Sequence, residues 1–138
     1  MKQLLFFILI LLIPLLYLSG CSKDYDNDPL AIKKYSSEDI EKIVFTKCTG
    51  KEKIITNNKD ISKIISYINS IEYRETKKDN PDNWAYYIKI INNDNTQAEV
   101  KFVINKIEFN NNWYKGNAYI INDLDKLYKT LNYPEEDF

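Results

Sequence analysis

The side chains able to do chemistry in this chain are few, and the missing types decide more than those present. No His occurs among the 138 residues, which removes Ser–His and Cys–His nucleophile systems and His-ligated zinc. Three Gly residues leave no Gly-rich phosphate loop, and no Ser-x-x-Lys element occurs. Carboxylates remain. Glu72, Glu75, Asp79 and Asp82 share one polar stretch, and Asp123 and Asp125 lie two apart. Such pairs could divide acid and base roles if their surroundings split their pKa values; in a chain with 28% charged residues they ordinarily solvate loops or cap helices. Asp24, Asp26 and Asp28 alternate like the start of an EF-hand loop, but Pro29 stands where Gly is required and Tyr35 where the closing Glu is required. No catalytic residue, metal or cofactor is expected.

Aromatic residues form the more informative set. Trp84, Tyr86, Tyr87, Phe109, Trp113, Tyr114 and Tyr119 crowd into one part of the chain, and Trp and Tyr dominate binding hot spots. Period-two alternation places Trp84, Tyr86, Ile88 and Ile90 on one side of a strand, with Tyr87 and Lys89 opposite. A sheet covered on one face leaves the other to solvent. Some of these aromatics are thus expected in the core and some exposed, and Trp84, Tyr87, Trp113 and Tyr114 are the candidate binding face.

The elements that must position these residues follow from local pattern. Ile40 to Phe45 and Lys53 to Ile55 flank Thr49-Gly50 as a hairpin, with Cys48 expected in the strand as a small buried hydrophobe. Thr56-Asn57-Asn58 supplies a helix N-cap. Ile61, Ile64, Ile65, Ile68 and Ile71 then form a helical stripe. A polar loop over 74–83 leads into the β-prone run 84–91. Asn92 to Asn95 turn it, and 99–104 return as an alternating strand. Ile107 to Phe109, the Asn110-Asn111-Asn112 turn and Trp113 to Lys115 add another hairpin, which Ala118 to Ile121 extend. Asn122-Asp123 are expected to cap a second helix with the stripe Leu124, Leu127, Tyr128 and Leu131, stopped by Pro134. The order ββ-α-ββββ-α predicts an α+β fold: a single antiparallel sheet with two amphipathic helices packed on one face.

The first twenty-one residues carry the address. Lys2 precedes an apolar run from Leu4 to Tyr17, broken only by Pro14, and a small-residue site follows. A spanning helix needs about 20 apolar residues, and this run is shorter. Leu18-Ser19-Gly20-Cys21 resembles the lipobox of bacterial lipoproteins at every position. The resemblance implies cleavage before Cys21, a diacylglyceryl group on its thiol, and a protein held at the cell membrane on the extracytoplasmic side. Two acyl chains anchor stably where one does not. The richness in Ile, Lys, Asn and Tyr resembles lipoproteins of low-GC Gram-positive bacteria.

Three segments result: a signal peptide over 1–20, a lipid-anchored linker over 21–38 and one small α+β domain over 39–138. Lys2 is the one charged residue before Cys21, so the remainder, with 20 acidic residues against the other basic ones of a total of 19, stays near neutral. That opposes nucleic-acid binding and strong electrostatic pull toward an anionic membrane. With Cys21 consumed, Cys48 has no disulfide partner. The expected function is a non-enzymatic binding or interaction module of the cell envelope whose partner is an envelope or secreted protein. The alternative is a carboxylate-dependent hydrolase acting on cell-wall glycan or peptide.

Overall fold

The structure is a computed structural model that describes residues 35–77 and 83–138. The signal peptide, Cys21, nearly all of the linker, and Asp79 and Asp82 lie outside the described residues. Chain order is β1 (Ile40–Lys47), β2 (Lys51–Ile55), α1 (Asn58–Ser70), β3 (Arg74–Glu75), β4 (Tyr86–Asn92), β5 (Gln97–Val103), β6 (Lys106–Phe109), β7 (Asn112–Lys115), α2 (Ile120–Thr130) and β8 (Glu136–Asp137). A single 3-10 turn, Ser37–Asp39, precedes β1. The strands form one eight-stranded sheet in the order β3-β7-β6-β5-β4-β1-β2-β8, antiparallel at every pairing.

The inner face follows from alternation. Ile43 and Phe45 of β1, Ile88 and Ile90 of β4, Val100 and Phe102 of β5, and Ile107 of β6 are fully buried. Against them lie Ile61, Ile64, Ile65 and Ile68 of α1 and Ile120, Leu124 and Tyr128 of α2. All belong to one core cluster, so both helices cover the same face, as the stripes predict. Each such Ile contributes about 1.5–3 kcal/mol on burial, which offsets the modest helix propensity of Ile in α1. Asn57 caps α1, its side chain accepting from the Lys59 N–H at 2.9 Å. At the other end, Phe45 meets Tyr128 edge-on with ring centroids 5.1 Å apart.

Lys53 breaks the apolar pattern of the inner face. It stands opposite Phe45 in register and is 7% exposed. Its ammonium donates to the carbonyls of Tyr128 at 3.1 Å and Leu131 at 2.6 Å, and lies 4.6 Å from the centre of the Tyr128 ring. Carbonyls at a helix C-terminus lack intrahelical donors and carry the negative end of the dipole. At the end of α2 the Leu131 and Tyr133 N–H groups supply one donor each, at 3.3 and 3.1 Å, and Lys53 adds the positive charge.

Four local expectations are corrected. Cys48 is exposed, in a turn rather than in the strand, because β1 ends at Lys47 and the Gly50 N–H closes onto the Lys47 carbonyl. Gly50 sits there at φ +80°, a conformation that favours glycine. The second helix begins at Ile120, two residues before the expected cap, with Tyr119 as N-cap and no side-chain cap bond. Asn117 does the turning instead, accepting from the Tyr119 N–H at 2.9 Å, so Ala118 to Ile121 do not extend a strand. The acidic tail forms β8 beside β2, where the expected order ended with the second helix.

Candidate functional site

The outer face carries no helix, and its residues read off directly from the register. One cross-strand row runs Glu52, Thr46, Tyr87, Lys101, Glu108, Trp113, from β2 to β7. The next row includes Ile54, Val44, Lys89 and Glu99. Val44, Glu52, Trp84, Tyr87, Lys89, Lys101 and Phe138 line an open groove of about 520 Å³, within the size of small-ligand and peptide sites.

Trp84 reaches this face through a break in alternation. Ala85 forms a bend, its N–H donating to the Phe102 carbonyl at 2.8 Å and its carbonyl accepting from the Cys48 N–H at 3.0 Å. The indole therefore lies beside Tyr87, ring centroids 6.1 Å apart, and not with Tyr86 on the inner face as period two predicts. Trp84 and Tyr87 are both half-buried. Phe138 closes one side because the tail pairs with β2: its N–H donates to the Gly50 carbonyl at 2.9 Å, and Lys51 and Asp137 form an ion pair.

The acids of the outer face are engaged. Thr46, fully buried, donates its hydroxyl to Glu52 at 3.4 Å, and Lys101 donates to Glu108 at 3.3 Å. Burial, and then the hydrogen bond and charge of Glu99, push the Tyr87 phenol well above its ordinary value, so Tyr87 is a neutral donor at physiological pH. Aromatic faces beside the ammoniums of Lys89 and Lys101 suit a ligand with an apolar or ring surface and an anionic group.

Of the four residues expected to form one binding face, the structure brings two together. Trp84 and Tyr87 share the groove. Tyr114 belongs to the core: it is 7% exposed, paired with Ile107 on the inner face and packed edge-on against Tyr73 at 6.1 Å. Trp113 is on the outer face but 6% exposed, and its buried indole N–H has no acceptor among the described residues. Lys89 and Lys101 were findable, since alternation from Tyr87 places them on its face. Phe138 was not, because nothing local predicts that the tail folds back.

Among the described residues the carboxylates do not converge. Asp125 accepts from the Tyr86 hydroxyl at 2.8 Å and pairs with Lys129 and Lys47. The Lys129 bond first, then the Tyr86 bond, hold its carboxyl below the ordinary range. Asp123 pairs with Lys126, and Glu72 and Glu75 are exposed. Among the described residues no three His, Cys, Asp or Glu side chains gather where a metal could bind, and no helix is long and apolar enough to cross a membrane.

Comparison with protein-family models, with curated proteins and with solved structures yields no match.

Proposed function

We propose that the protein is a lipid-anchored, extracytoplasmic, non-enzymatic binding module that uses the outer face of its sheet to hold an envelope or secreted protein. The observation that carries this reading is the groove: Trp84 set at a tilt beside Tyr87 on an open sheet face, with Lys89 and Lys101 lining the same groove. Half-buried Trp and Tyr present rigid contact area whose ordering cost is already met. The anchor half rests on Leu18-Ser19-Gly20-Cys21. The chain enters the domain at Tyr35, which touches Asn69 and Phe109. The groove opens at the opposite end of the sheet, where Phe138 meets Gly50.

The test is crosslinking and pulldown from membranes with the full-length lipoprotein, against a Trp84→Ala, Tyr87→Ala variant. Loss of a specific partner from the variant supports the reading, and an unchanged partner set removes the groove from consideration. The anchor is tested separately. Cys21→Ser should remain unprocessed, and processing and location like those of wild type would sink it.

A further inference from the structure

The two lysines of the groove differ in what the fold does with them. Lys101 is neutralised within the chain, donating to Glu108 at 3.3 Å. Lys89 is half-buried and stands in register between Val44 of β1 and Glu99 of β5. Val44 offers no charge, and Glu99 accepts from the Tyr87 phenol instead. Among the described residues no carboxylate comes within ion-pair reach of the Lys89 ammonium. An occupant that fills the groove takes this ammonium out of water. A cation desolvated without a counter-charge is strongly penalised, so the occupant must bring an anion to that point. Glu52 cannot serve: it stands at the β2 margin and accepts the Thr46 hydroxyl at 3.4 Å.

The surroundings say what accompanies that anion. Val44, Trp84, Tyr87 and Phe138 supply the apolar lining, and Phe138 is 76% exposed, so a large apolar side chain beside the anion has surface to cover. The groove then continues past Lys101. The same lysine lines a second cavity of about 260 Å³ with Gln97, Glu99, Glu108, Asn110 and Asn111, over β5 and the β6–β7 turn. Amides and carboxylates there accept from N–H and O–H donors. Across the strands, β1 to β6 is three spacings, about 14 Å, or roughly four residues of extended chain. An apolar half followed by a polar half suits a peptide segment. An acyl chain with an anionic head would meet amides and carboxylates over half of that length.

We infer that the partner lays an extended segment across β1, β4, β5 and β6, with an Asp or Glu paired to Lys89. A neighbouring large apolar side chain packs on Trp84, Tyr87 and Phe138, and a hydrogen-bonding side chain further along enters the Asn110–Asn111 cavity. Lys89 is then the specificity-determining cation, and Lys101 the divider between the two cavities. This inference rests on the groove being the partner site and names what the partner puts there.

The test pans short linear peptides of randomised sequence, displayed on phage, against the full-length chain in phosphatidylcholine vesicles. Phage that also bind the Trp84→Ala, Tyr87→Ala variant are discarded. Enriched sequences should carry an acid beside a Phe, Tyr, Trp or Leu, and one of them is synthesised and titrated by tryptophan fluorescence. Changing its acid to the amide should weaken binding roughly 10-fold. Lys89→Gln should weaken the parent peptide equally and leave the amide peptide unchanged, whereas the acid-to-amide ratio should persist in Lys101→Gln. Lys89→Glu should prefer a peptide with Lys in place of the acid. Groove-dependent peptides that lack an acid, or an acid effect that survives Lys89→Gln, overturn the inference and leave the groove reading standing. Oleate that binds the groove more tightly than any enriched peptide overturns it in favour of an amphiphile. Enrichment of no groove-dependent peptide also overturns it, while the membrane pulldown separately decides whether the groove holds the partner.

Discussion

The Lys53 ammonium donates to the Leu131 carbonyl at 2.6 Å, tying the middle of β2 to the residue that ends α2. A strand lysine facing a hydrophobic core is ordinarily a defect. Here it adds a charged donor to helix-end carbonyls that otherwise accept only from the Leu131 N–H at 3.3 Å and the Tyr133 N–H at 3.1 Å.

Replacing Lys53 with Met keeps the packing of its stem and removes the ammonium. Two charge-assisted hydrogen bonds are lost, while each carbonyl keeps one backbone donor, so Lys53→Met should destabilise the fold by about 2–3 kcal/mol. Urea unfolding should show a lower midpoint with an unchanged slope. A midpoint equal to wild type would mean that α2 ends without this cap.

Gly116 is required by space. A Cβ there would stand 2.2 Å from Ile120 Cδ1 and 3.1 Å from Ile107 Cδ1, both on fully buried side chains. Gly116→Ala should cost about 1–3 kcal/mol. Ile120→Val removes the nearer methyl, so the glycine substitution should cost clearly less in that background. Denaturation of the four proteins of this cycle measures the coupling, and additive costs would contradict the contact.

The tyrosines predict an alkaline limit. Burial first raises the phenols of Tyr67 and Tyr128 to about 12, and raises those of Tyr73 and Tyr86 further. An unfolded tyrosine titrates near 10. The folded state thus holds these protons more tightly. The stability they supply is complete below about pH 10 and is lost as pH rises through the folded values. Tyr73 donates to the Ile68 carbonyl at 3.0 Å. Tyr73→Phe should therefore cost about 1 kcal/mol at neutral pH and show a shallower decline above pH 10. Urea titrations across that range decide it, and parallel declines would remove Tyr73 from the cause.

Thiol counting tests two features at once. Cys48 is exposed in its turn, so a maleimide should label it in the native protein without unfolding. If Cys21 carries the proposed diacylglyceryl thioether, the membrane-extracted protein should then yield one reactive thiol per chain. Two thiols would contradict acylation, and a Cys48 that labels only in denaturant would contradict the turn.

Where local pattern and tertiary placement agree, the fold was legible. The stripe from Ile61 to Ile68 and the alternation of Tyr86, Ile88 and Ile90 each follow from one element's own period, and both faces came out as expected. What escaped depends on partners distant in sequence. The bend at Ala85 is held by Phe102 and Cys48, so nothing near Trp84 announces its change of face. Tyr114 and Trp113 are neighbours on opposite faces of a four-residue strand, and which one meets the core is set by pairing with Ile107 and Glu108. The two-residue strands β3 and β8 are too short to show a period. The groove was half legible for the same reason: Tyr87, Lys89 and Lys101 obey alternation, whereas Trp84 and Phe138 arrive by tertiary hydrogen bonds.

Those two short strands have a consequence for the lipid-anchored form proposed above. β3 pairs with Lys115 and Tyr114 while the Thr76 N–H takes the Trp113 carbonyl, and the tail runs beside β2 from Asn57 to Gly50. Each outermost strand offers only two residues, all four of them charged: Arg74 and Glu75, Glu136 and Asp137. Short charged margins are poor templates for strand addition. Copies held side by side on one surface would find no seam along which to polymerise, so the sheet can keep its broad side bare without seeding a fibril.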